Sequence, residues 1–392
     1  MKSVQFLGFL LLVIFFSFGC NHQPTNETLY PLPQSNLVIA HRGTTSWAPE
    51  ETEAAMRWAR NMGADYLEID LQMTKDSVLI ALHDDNLTRT TDIATKFSDR
   101  KNNSVATFTY AELLTLDAGS WFSEFENYRN TFAGLEVLTL EDVIRIAGGY
   151  RIKRESCPNG KRLTQLIDGK IQTIYEKDPS DNGHRPGIYP ETKEPHLFPG
   201  IEKALVQELK RLAWYAESEA DLVQISTTDG KVQVANSPER VIVQTFSKQS
   251  LVNINSVFTR KIPTCFLLWL DPNDTTGASM LSTDDYEDWV NFGYENGARI
   301  IGPSIAGEPN NYEELLEPWM SELIKGKNMF THAYSFDTEE QMLHYSPKAN
   351  NRVNGWFTNR TEVTLKYISE NGIRNIAFPI LNPETVLDDL GY

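Results

Sequence analysis

The sequence predicts an α/β protein built on one (β/α)8 barrel, the TIM barrel. Short apolar strands recur along the 392 residues, and helical patterns follow several of them, which is typical of βα units around a parallel sheet. The first strand is not followed by the Gly-rich phosphate loop that an open dinucleotide-binding sheet would need. The length and the alternation therefore favour a closed barrel, somewhat irregular in its strand spacing.

Nine segments have the apolar character of buried strands, one more than an eight-stranded barrel uses. They are Leu37–Ala40, Tyr66–Gln72, Val78–Leu82, Gly187–Thr192, Val241–Phe246, Thr264–Leu270, Ala298–Gly302, Met329–Tyr334 and Gly355–Thr358. The third segment follows its predecessor too closely for a crossover helix, so we predict that it is a hairpin or a loop. Helical patterns cover Glu51–Met62, Pro199–Ala216, Tyr312–Lys325 and Thr361–Asn371.

The segment from about 93 to 183 breaks the alternation. It is polar, it has a charge-dense stretch at Arg151–Glu155, and it predicts only short helices near Thr109–Leu116 and Thr139–Ala147. Loops at the carboxyl ends of barrel strands build active sites. We therefore predict a capping insertion after the third strand, over that mouth of the barrel.

The N-terminus has the features of an export signal. Lys2 precedes the apolar run Val4–Phe18, which is too short for a transmembrane helix. Gly19 before Cys20 resembles the lipobox of bacterial lipoproteins, with Ser17 where leucine is usual. We predict a signal peptide at 1–19, lipidation of Cys20, a flexible tether at 20–36 and the barrel at 37–392. The protein would then be anchored in the bacterial cell envelope; ordinary cleavage and an uncleaved anchor are the alternatives.

Acidic residues outnumber basic ones by 53 to 36, which gives a net charge of −17. This balance argues against nucleic acid and anionic membrane as partners, leaving the lipid anchor as the membrane contact. It allows an anionic substrate if a metal ion and a few local cations reverse the field in a cleft. No cysteine or histidine spacing indicates zinc. Cys157 and Cys265 are expected to be unpaired thiols, with a disulfide between them as the alternative.

Two strands place acidic side chains on one face. Side chains alternate along a strand, so Glu68, Asp70 and Gln72 point the same way, as do Glu191 and Lys193. Carboxylates inside a barrel need a cation, because desolvation of unpaired charge is costly. Glu191 would complete an all-oxygen site, which suits Ca²⁺ or Mg²⁺, and Lys193 would bind a phosphate. The alternatives are solvated surface acids and a surface Glu-x-Lys ion pair.

Two histidines at strand ends are candidate acid and base groups. His41 follows the first strand and His83 the third, and imidazole exchanges protons near neutral pH. Arg42 offers a fork for two phosphoryl oxygens, and Gly43 lets the backbone turn close to a ligand. Asp84 is expected to orient a neighbour or to cap a turn. A single histidine of this kind is more often a hydrogen-bonded core residue.

These motifs resemble the glycerophosphodiester phosphodiesterase family. Its ordered elements occur here as His41-Arg42-Gly43, Pro49-Glu50-Glu51-Thr52, Gly63 to Asp70 and His83-Asp84. The resemblance continues through Gly187 to Lys193, Gln244-Thr245-Phe246 and Gly355-Trp356-Phe357-Thr358, so it spans about residues 37 to 370. The long insertion and the Gly-Ile-Tyr-Pro-Glu-x-Lys element are similar to the bacterial periplasmic, calcium-dependent branch. Two departures are Glu51, where asparagine is usual, and Asn359-Arg360, where Thr-Asp is usual.

The resemblance implies an exported hydrolase that cleaves glycerophosphodiesters to sn-glycerol 3-phosphate and an alcohol. It assigns the metal to Glu68, Asp70 and Glu191, with Ca²⁺ favoured over Mg²⁺, and substrate phosphate to Arg42. It makes His41 and His83 the catalytic pair, and Glu50 a residue that holds the first loop. We expect His41 to be the base and His83 the acid, although the reverse fits the sequence equally well. Alternatives are a phosphodiesterase acting on lyso-phospholipids or phosphoinositides, and a silent phosphodiester-binding surface lipoprotein.

Overall fold

A computed structural model describes residues 36–156, 160–226, 230–346 and 352–392. The described strands are β1 Leu37–Ala40, β2 Tyr66–Met73, β3 Leu79–Ala81, β4 Tyr150–Ile152, β5 Thr164–Ile167, β6 Lys170–Thr173, β7 Tyr175–Lys177, β8 Gly187–Thr192, β9 Val243–Thr245, β10 Thr264–Leu268, β11 Ile300–Pro303, β12 Phe330–Phe336 and β13 Gly355–Thr358. The described α-helices are α1 Glu53–Met62, α2 Ile93–Lys96, α3 Tyr110–Leu113, α4 Leu140–Ala147, α5 Ile201–Arg211, α6 Lys248–Val257, α7 Tyr286–Glu295, α8 Pro318–Gly326, α9 Glu339–Tyr345, α10 Thr361–Glu370 and α11 Pro383–Leu390.

Eight parallel strands close into a barrel. Their order is β1-β13-β12-β11-β10-β9-β8-β2, and pairing of β1 with β2 completes the circle. The predicted (β/α)8 barrel is therefore confirmed. The extra strand β3 pairs antiparallel with β2, with Leu71 opposite Ala81, so the segment predicted at Val78–Leu82 is indeed a hairpin arm.

The predicted first residue of one helix is wrong. The pattern beginning at Tyr312 becomes helical only at Pro318, the first residue of α8. Proline lacks an N–H and has a fixed φ, so it fits the first turn of a helix. The residues before it are free to form a loop at the barrel mouth.

The barrel interior is set by the alternation of strand side chains. Leu37 and Ile39 pack inside with Tyr66 and Tyr189, while Val38 and Ala40 pack outward against the helices. Every second residue of a strand points inward, so the inward positions that follow these apolar residues lie at the carboxyl ends of the strands. The polar residues predicted for the site lie at these ends.

The segment 93–183 follows the third strand as predicted, but it contributes no described residue to the wall of the large cavity at the mouth. Strands β4 and β7 instead pack beside α1, where Asp178 binds Arg57 and Arg154 binds Glu53 in buried ion pairs. Nearer the mouth, Trp121 lies 5.9 Å from the Arg89 guanidinium. These buried ion pairs thus hold the part of the insertion around β4 and β7 beside α1, away from the cavity wall.

The predicted signal peptide, tether and Cys20 lie outside the described residues, as does Cys157. Cys265 is a buried free thiol on β10. None of the helices in the described ranges combines the length and apolar character needed to cross a bilayer.

Candidate active site

Three buried carboxylates meet at the carboxyl ends of adjacent strands. Asp70 of β2 is directly paired with Glu191 of β8, and Glu68 lies two residues before Asp70 on the same face. One oxygen from each lies within 4.8 Å of the others. The side chains are only 1–5% exposed. This is the arrangement that strand parity predicted, and a metal ion could be held there.

The protonation of these carboxylates shows a shortage of positive charge. Burial and the nearby Asp70 raise the pKa of Glu68 well above its usual range. Burial raises the pKa of Glu191 to about 8, with Lys193 opposing the shift and Asp70 adding to it. Burial opposes ionisation of Asp70 as well, but Lys193 and other cations keep its pKa below its usual value. A divalent cation would supply the missing charge, so the donor set fits one.

Neighbouring groups fix the carboxylates in position. Glu68 Oε2 accepts a hydrogen bond from the Arg42 backbone N–H at 2.7 Å, and its Oε1 accepts one from Gln244 Nε2 at 2.9 Å. The backbone N–H of Asp70 donates to Glu51 Oε1 at 2.7 Å. The sequence analysis gave no role to Gln244 or Glu51, although both belong to elements that carry the resemblance.

The loop after β1 turns sharply to bring Arg42 into the site. Arg42 has φ 53° and Gly43 has φ 78°, and a Cβ at Gly43 would lie 2.8 Å from the backbone carbon of Ala55. Only glycine fits this close approach to α1 without strain. The Arg42 guanidinium contacts Glu50 and Asp70, each at 3.1 Å.

His41 is oriented by a chain of polar groups. Its Nδ1 lies 2.7 Å from Asn359 Oδ1, and Asn359 Nδ2 donates to both carboxylate oxygens of Asp337. Because the amide nitrogen faces Asp337, the amide oxygen faces His41, and His41 Nδ1 must carry the proton. The unprotonated Nε2 is then available. Burial, together with Arg42, lowers the pKa of His41 to about 3.

His83 has a different partner, a carboxylate. Its Nδ1 lies 2.7 Å from Asp84 Oδ1, and burial lowers its pKa while the Asp70 charge opposes that shift. Arg89 makes two hydrogen bonds to Asp84 and two to Glu50, all between 2.7 and 2.9 Å. Gln72 donates to the backbone carbonyls that follow β3. These bonds hold the loop that carries His83.

Both groups of residues line one cavity of about 620 Å³. Lys193 reaches it from the end of β8, with its Nζ 3.4 Å from Glu191 and 3.8 Å from Asp70. Seven predicted residues form its inner end: His41, Arg42, Glu68, Asp70, His83, Glu191 and Lys193. Asp84 also lines the cavity, while Glu50 and Gly43 support it from behind.

Sequence reasoning missed Asn359, Asp337 and Arg89. Asn359 was noted only as a departure from the family pattern, and 318 residues separate it from the histidine that it contacts. Its position just after β13, beside β1 in the barrel, was the available signal.

Comparison with known proteins is consistent with this geometry. Residues 41–158 match the model of the glycerophosphoryl diester phosphodiesterase family. This part of the chain is thus similar to the family. A glycerophosphodiester phosphodiesterase of Bacillus subtilis (strain 168) is 31% identical over 238 residues, which is 60% of each chain. One from Caldanaerobacter subterraneus subsp. tengcongensis is 40% identical over 221 residues, 56% of this chain and 62% of that one. The aligned part thus spans about three fifths of these relatives.

Solved structures of other proteins share the fold. A putative glycerophosphoryl diester phosphodiesterase from Silicibacter pomeroyi has a TM-score of 0.57 at 17% identity, covering 87% of this chain and 95% of that one. An Oleispira antarctica phosphodiesterase, solved with its product sn-glycerol-3-phosphate, has a TM-score of 0.55 at 18% identity, covering 86% and 97%. These likenesses support the barrel.

Proposed function

We propose that this protein hydrolyses glycerophosphodiesters to sn-glycerol 3-phosphate and an alcohol. The observation that carries the proposal is the meeting of two differently partnered histidines, two cationic side chains and three carboxylates at one end of a single cavity. The named relatives, and the product in the Oleispira antarctica structure, support this choice of substrate.

Glu68, Asp70 and Glu191 would hold one divalent cation, with Ca²⁺ favoured over Mg²⁺. A bound divalent cation polarises the phosphoryl group and lowers the pKa of a bound hydroxyl. Oxygen-only donors suit either ion, and the preference for Ca²⁺ rests on the resemblance to the bacterial periplasmic branch.

Arg42 and Lys193 would bind the non-bridging phosphoryl oxygens. Arg42 is held by Glu50 and Asp70 with its guanidinium facing the cavity, so little conformational entropy is lost when it binds. Lys193 supplies a second positive charge from the end of β8, which is separated from β1 by β2 in the barrel. Fixed cations of this kind stabilise the charge that develops on phosphorus-bound oxygens as the bond breaks.

The partners of the histidines favour His41 as the base and His83 as the acid. His41 donates from Nδ1 to a neutral amide, which leaves Nε2 free to take a proton from the nucleophile, either water or a glycerol hydroxyl. His83 donates to the Asp84 carboxylate, which stabilises the imidazolium form. His83 can therefore carry the proton that the departing alkoxide needs.

The proposal is tested by measuring sn-glycerol 3-phosphate release from glycerophosphocholine and glycerophosphoethanolamine. Activity should be lost with EDTA and restored by Ca²⁺ more than by Mg²⁺. His41→Ala and His83→Ala should each lower kcat by about 10²-fold or more without changing the circular dichroism spectrum. Release that persists in EDTA would refute the metal role, and turnover near wild type in either variant would refute that histidine's role.

We also propose that the protein is exported and lipid-anchored at Cys20. The support is the short apolar run that ends at Gly19-Cys20. Cells fed labelled palmitate should label the wild type in the membrane fraction, and Cys20→Ser should abolish the label. A labelled Cys20→Ser protein would contradict this proposal and leave the hydrolase proposal unaffected.

A further inference from the structure

The cavity extends well beyond the residues that would bind the phosphate. Its outer wall is formed by aromatic side chains and by the loop that follows β10. The aromatic residues are Phe246, Trp269, Tyr312 and Tyr334. The family motifs account for Phe246 at most, and the mechanism proposed above uses none of these rings.

The four rings form a continuous series that starts beside the phosphate site. Lys193 Nζ lies 5.5 Å from the centroid of the Phe246 ring. From there, successive ring centroids are 6.0 Å apart to Tyr334, 6.1 Å to Tyr312 and 5.3 Å to Trp269. Trp269 and Tyr312 meet at 79°, so they present apolar surface from two directions. The series therefore leads from the phosphate to the part of the cavity where one substituent of a diester would lie.

The cationic side chains of the cavity lie at its inner end, together with the carboxylates of the candidate metal site. At the inner end, Arg42, Arg89 and Lys193 are each paired with carboxylates. At the outer end lie Asp271 and Asp274, which form no ion pair with any cation in the described ranges. A ligand that carries positive charge at the end away from its phosphate would match these outer carboxylates.

The acidic loop is built rigidly. Asp274 accepts hydrogen bonds from the backbone N–H groups of Thr276, Ala278 and Ser279, and from the Thr276 hydroxyl. Burial opposes its ionisation, but these bonds lower its pKa to about 2, so it is charged at neutral pH. Asp271 accepts a bond from the Asn273 N–H. The negative charge beside Trp269 is therefore fixed before a ligand arrives.

We propose that this outer wall is a subsite for a quaternary ammonium group, so that the preferred substrates are glycerophosphodiesters of a choline-type alcohol. The inference rests on the proposed hydrolase function and names the alcohol half of its substrate. Quaternary ammonium ions bind to aromatic faces because the ring quadrupole attracts the cation and the methyl groups contact the ring. They donate no N–H hydrogen bonds, so a wall of rings leaves no donor unsatisfied.

Other alcohols fit this wall less well. A primary ammonium is compact and strongly hydrated, and it needs acceptors for three N–H donors. An inositol or glycerol group would turn hydroxyls toward ring faces that offer no strong acceptor, so its hydroxyls would depend on the few polar groups of the loop after β10. The Tyr334 hydroxyl donates to the Leu268 carbonyl at 2.6 Å, so it can accept a hydrogen bond from a ligand but has no proton left to donate.

The test compares glycerophosphocholine with its 3,3-dimethylbutyl analogue, in which carbon replaces the quaternary nitrogen. The two alcohols have the same shape, so the ratio of their kcat/KM values isolates the positive charge. We would measure it, with the activating metal present, for wild type, Trp269→Leu, Asp271→Asn and the control Trp319→Leu. Trp319 is an exposed tryptophan on α8, outside the cavity wall. Any difference in the acidity of the two alcohols cancels when variants are compared.

Trp269→Leu should lower the choline-to-neutral ratio by about 5-fold to 30-fold, because leucine keeps the apolar contact and loses the quadrupole. Asp271→Asn should lower it by about 2-fold to 5-fold. Trp319→Leu should match wild type, and glycerophosphoethanolamine should react less efficiently than glycerophosphocholine.

An unchanged ratio in Trp269→Leu, or an equal loss in Trp319→Leu, would overturn the subsite. Turnover of the neutral analogue would still leave the hydrolase function standing in that case. A wild-type protein that cleaves none of the three substrates would overturn the hydrolase function, and the subsite with it. A preference for the ethanolamine ester that survives Trp269→Leu would also refute the aromatic recognition proposed here.

Discussion

Replacing Asn359 with alanine tests whether the orientation of His41 matters for turnover. The change removes the acceptor that lies 2.7 Å from His41 Nδ1 and leaves a buried donor without a partner. An unsatisfied buried group of this kind costs about 1–3 kcal/mol. If that cost destabilises the reactive orientation and tautomer of the His41 ring, kcat should drop by about 5-fold to 150-fold. The affinity for Ca²⁺ should stay near wild type, because the substitution leaves the three carboxylates unchanged.

The assay is steady-state kinetics on glycerophosphocholine, with calorimetric titration of Ca²⁺ in parallel. Asn310→Ala is the matched control, because Asn310 donates to the same Asp337 carboxylate at 2.7 Å without contacting His41. It should lower kcat by a smaller factor. A wild-type kcat in Asn359→Ala, or equal losses in both variants, would refute the argument that the amide sets the tautomer of His41.

Three further predictions concern charge. Asp84→Asn removes a carboxylate that favours protonated His83, so the alkaline limb of the kcat profile should move to lower pH. An unmoved limb would contradict His83 as the acid. Calcium must displace protons from the three carboxylates, because the pKa of Glu191 is raised to about 8. Below that pH, the affinity for Ca²⁺ should rise by up to about tenfold per pH unit. Calorimetry in two buffers with different ionisation enthalpies would measure the released protons. Glu50 has its pKa lowered to about 2 by Arg42 and Arg89 against the effect of burial. Ionised Glu50 therefore stabilises the fold above pH 4.5, and this stabilisation is lost as the pH falls toward 2. In urea unfolding, Glu50→Gln should lower the free energy of unfolding by up to about 3 kcal/mol at pH 7 and by far less near pH 3. Equal costs at the two pH values would argue against the ion pairs.

The parts of the site that follow from local patterns were predictable from the sequence. Parity along β2 placed Glu68 and Asp70 on one inward face, and close spacing identified β3 as an extra strand. Both inferences depend on neighbours within a few residues of each other. The strand ends also gave the positions of His41 and His83 at the mouth.

The parts that depend on closure of the barrel were not predictable in this way. Asn359 reaches His41 only because β13 pairs with β1, and no periodicity in the sequence specifies that pairing. Trp269 and Tyr312 come together from loops after β10 and before α8, and the apolar pattern near Tyr312 was interpreted as helix. The position of β4 and β7 was not predictable for a similar reason, since it is set by buried ion pairs to α1 that join residues about 100 or more positions apart.

The antiparallel arm β3 divides the site into two parts that are assembled differently. The Leu82 N–H donates to the Asp70 carbonyl, so a single hairpin fixes His83 relative to two of the three carboxylates. His41 and Glu191, in contrast, meet that hairpin only when distant strands have paired. A partly folded chain could therefore already bring the acid close to part of the metal site while the base is still absent. The complete set of site residues therefore exists only in the closed barrel, where β1 pairs with β13 and β8 pairs with β2.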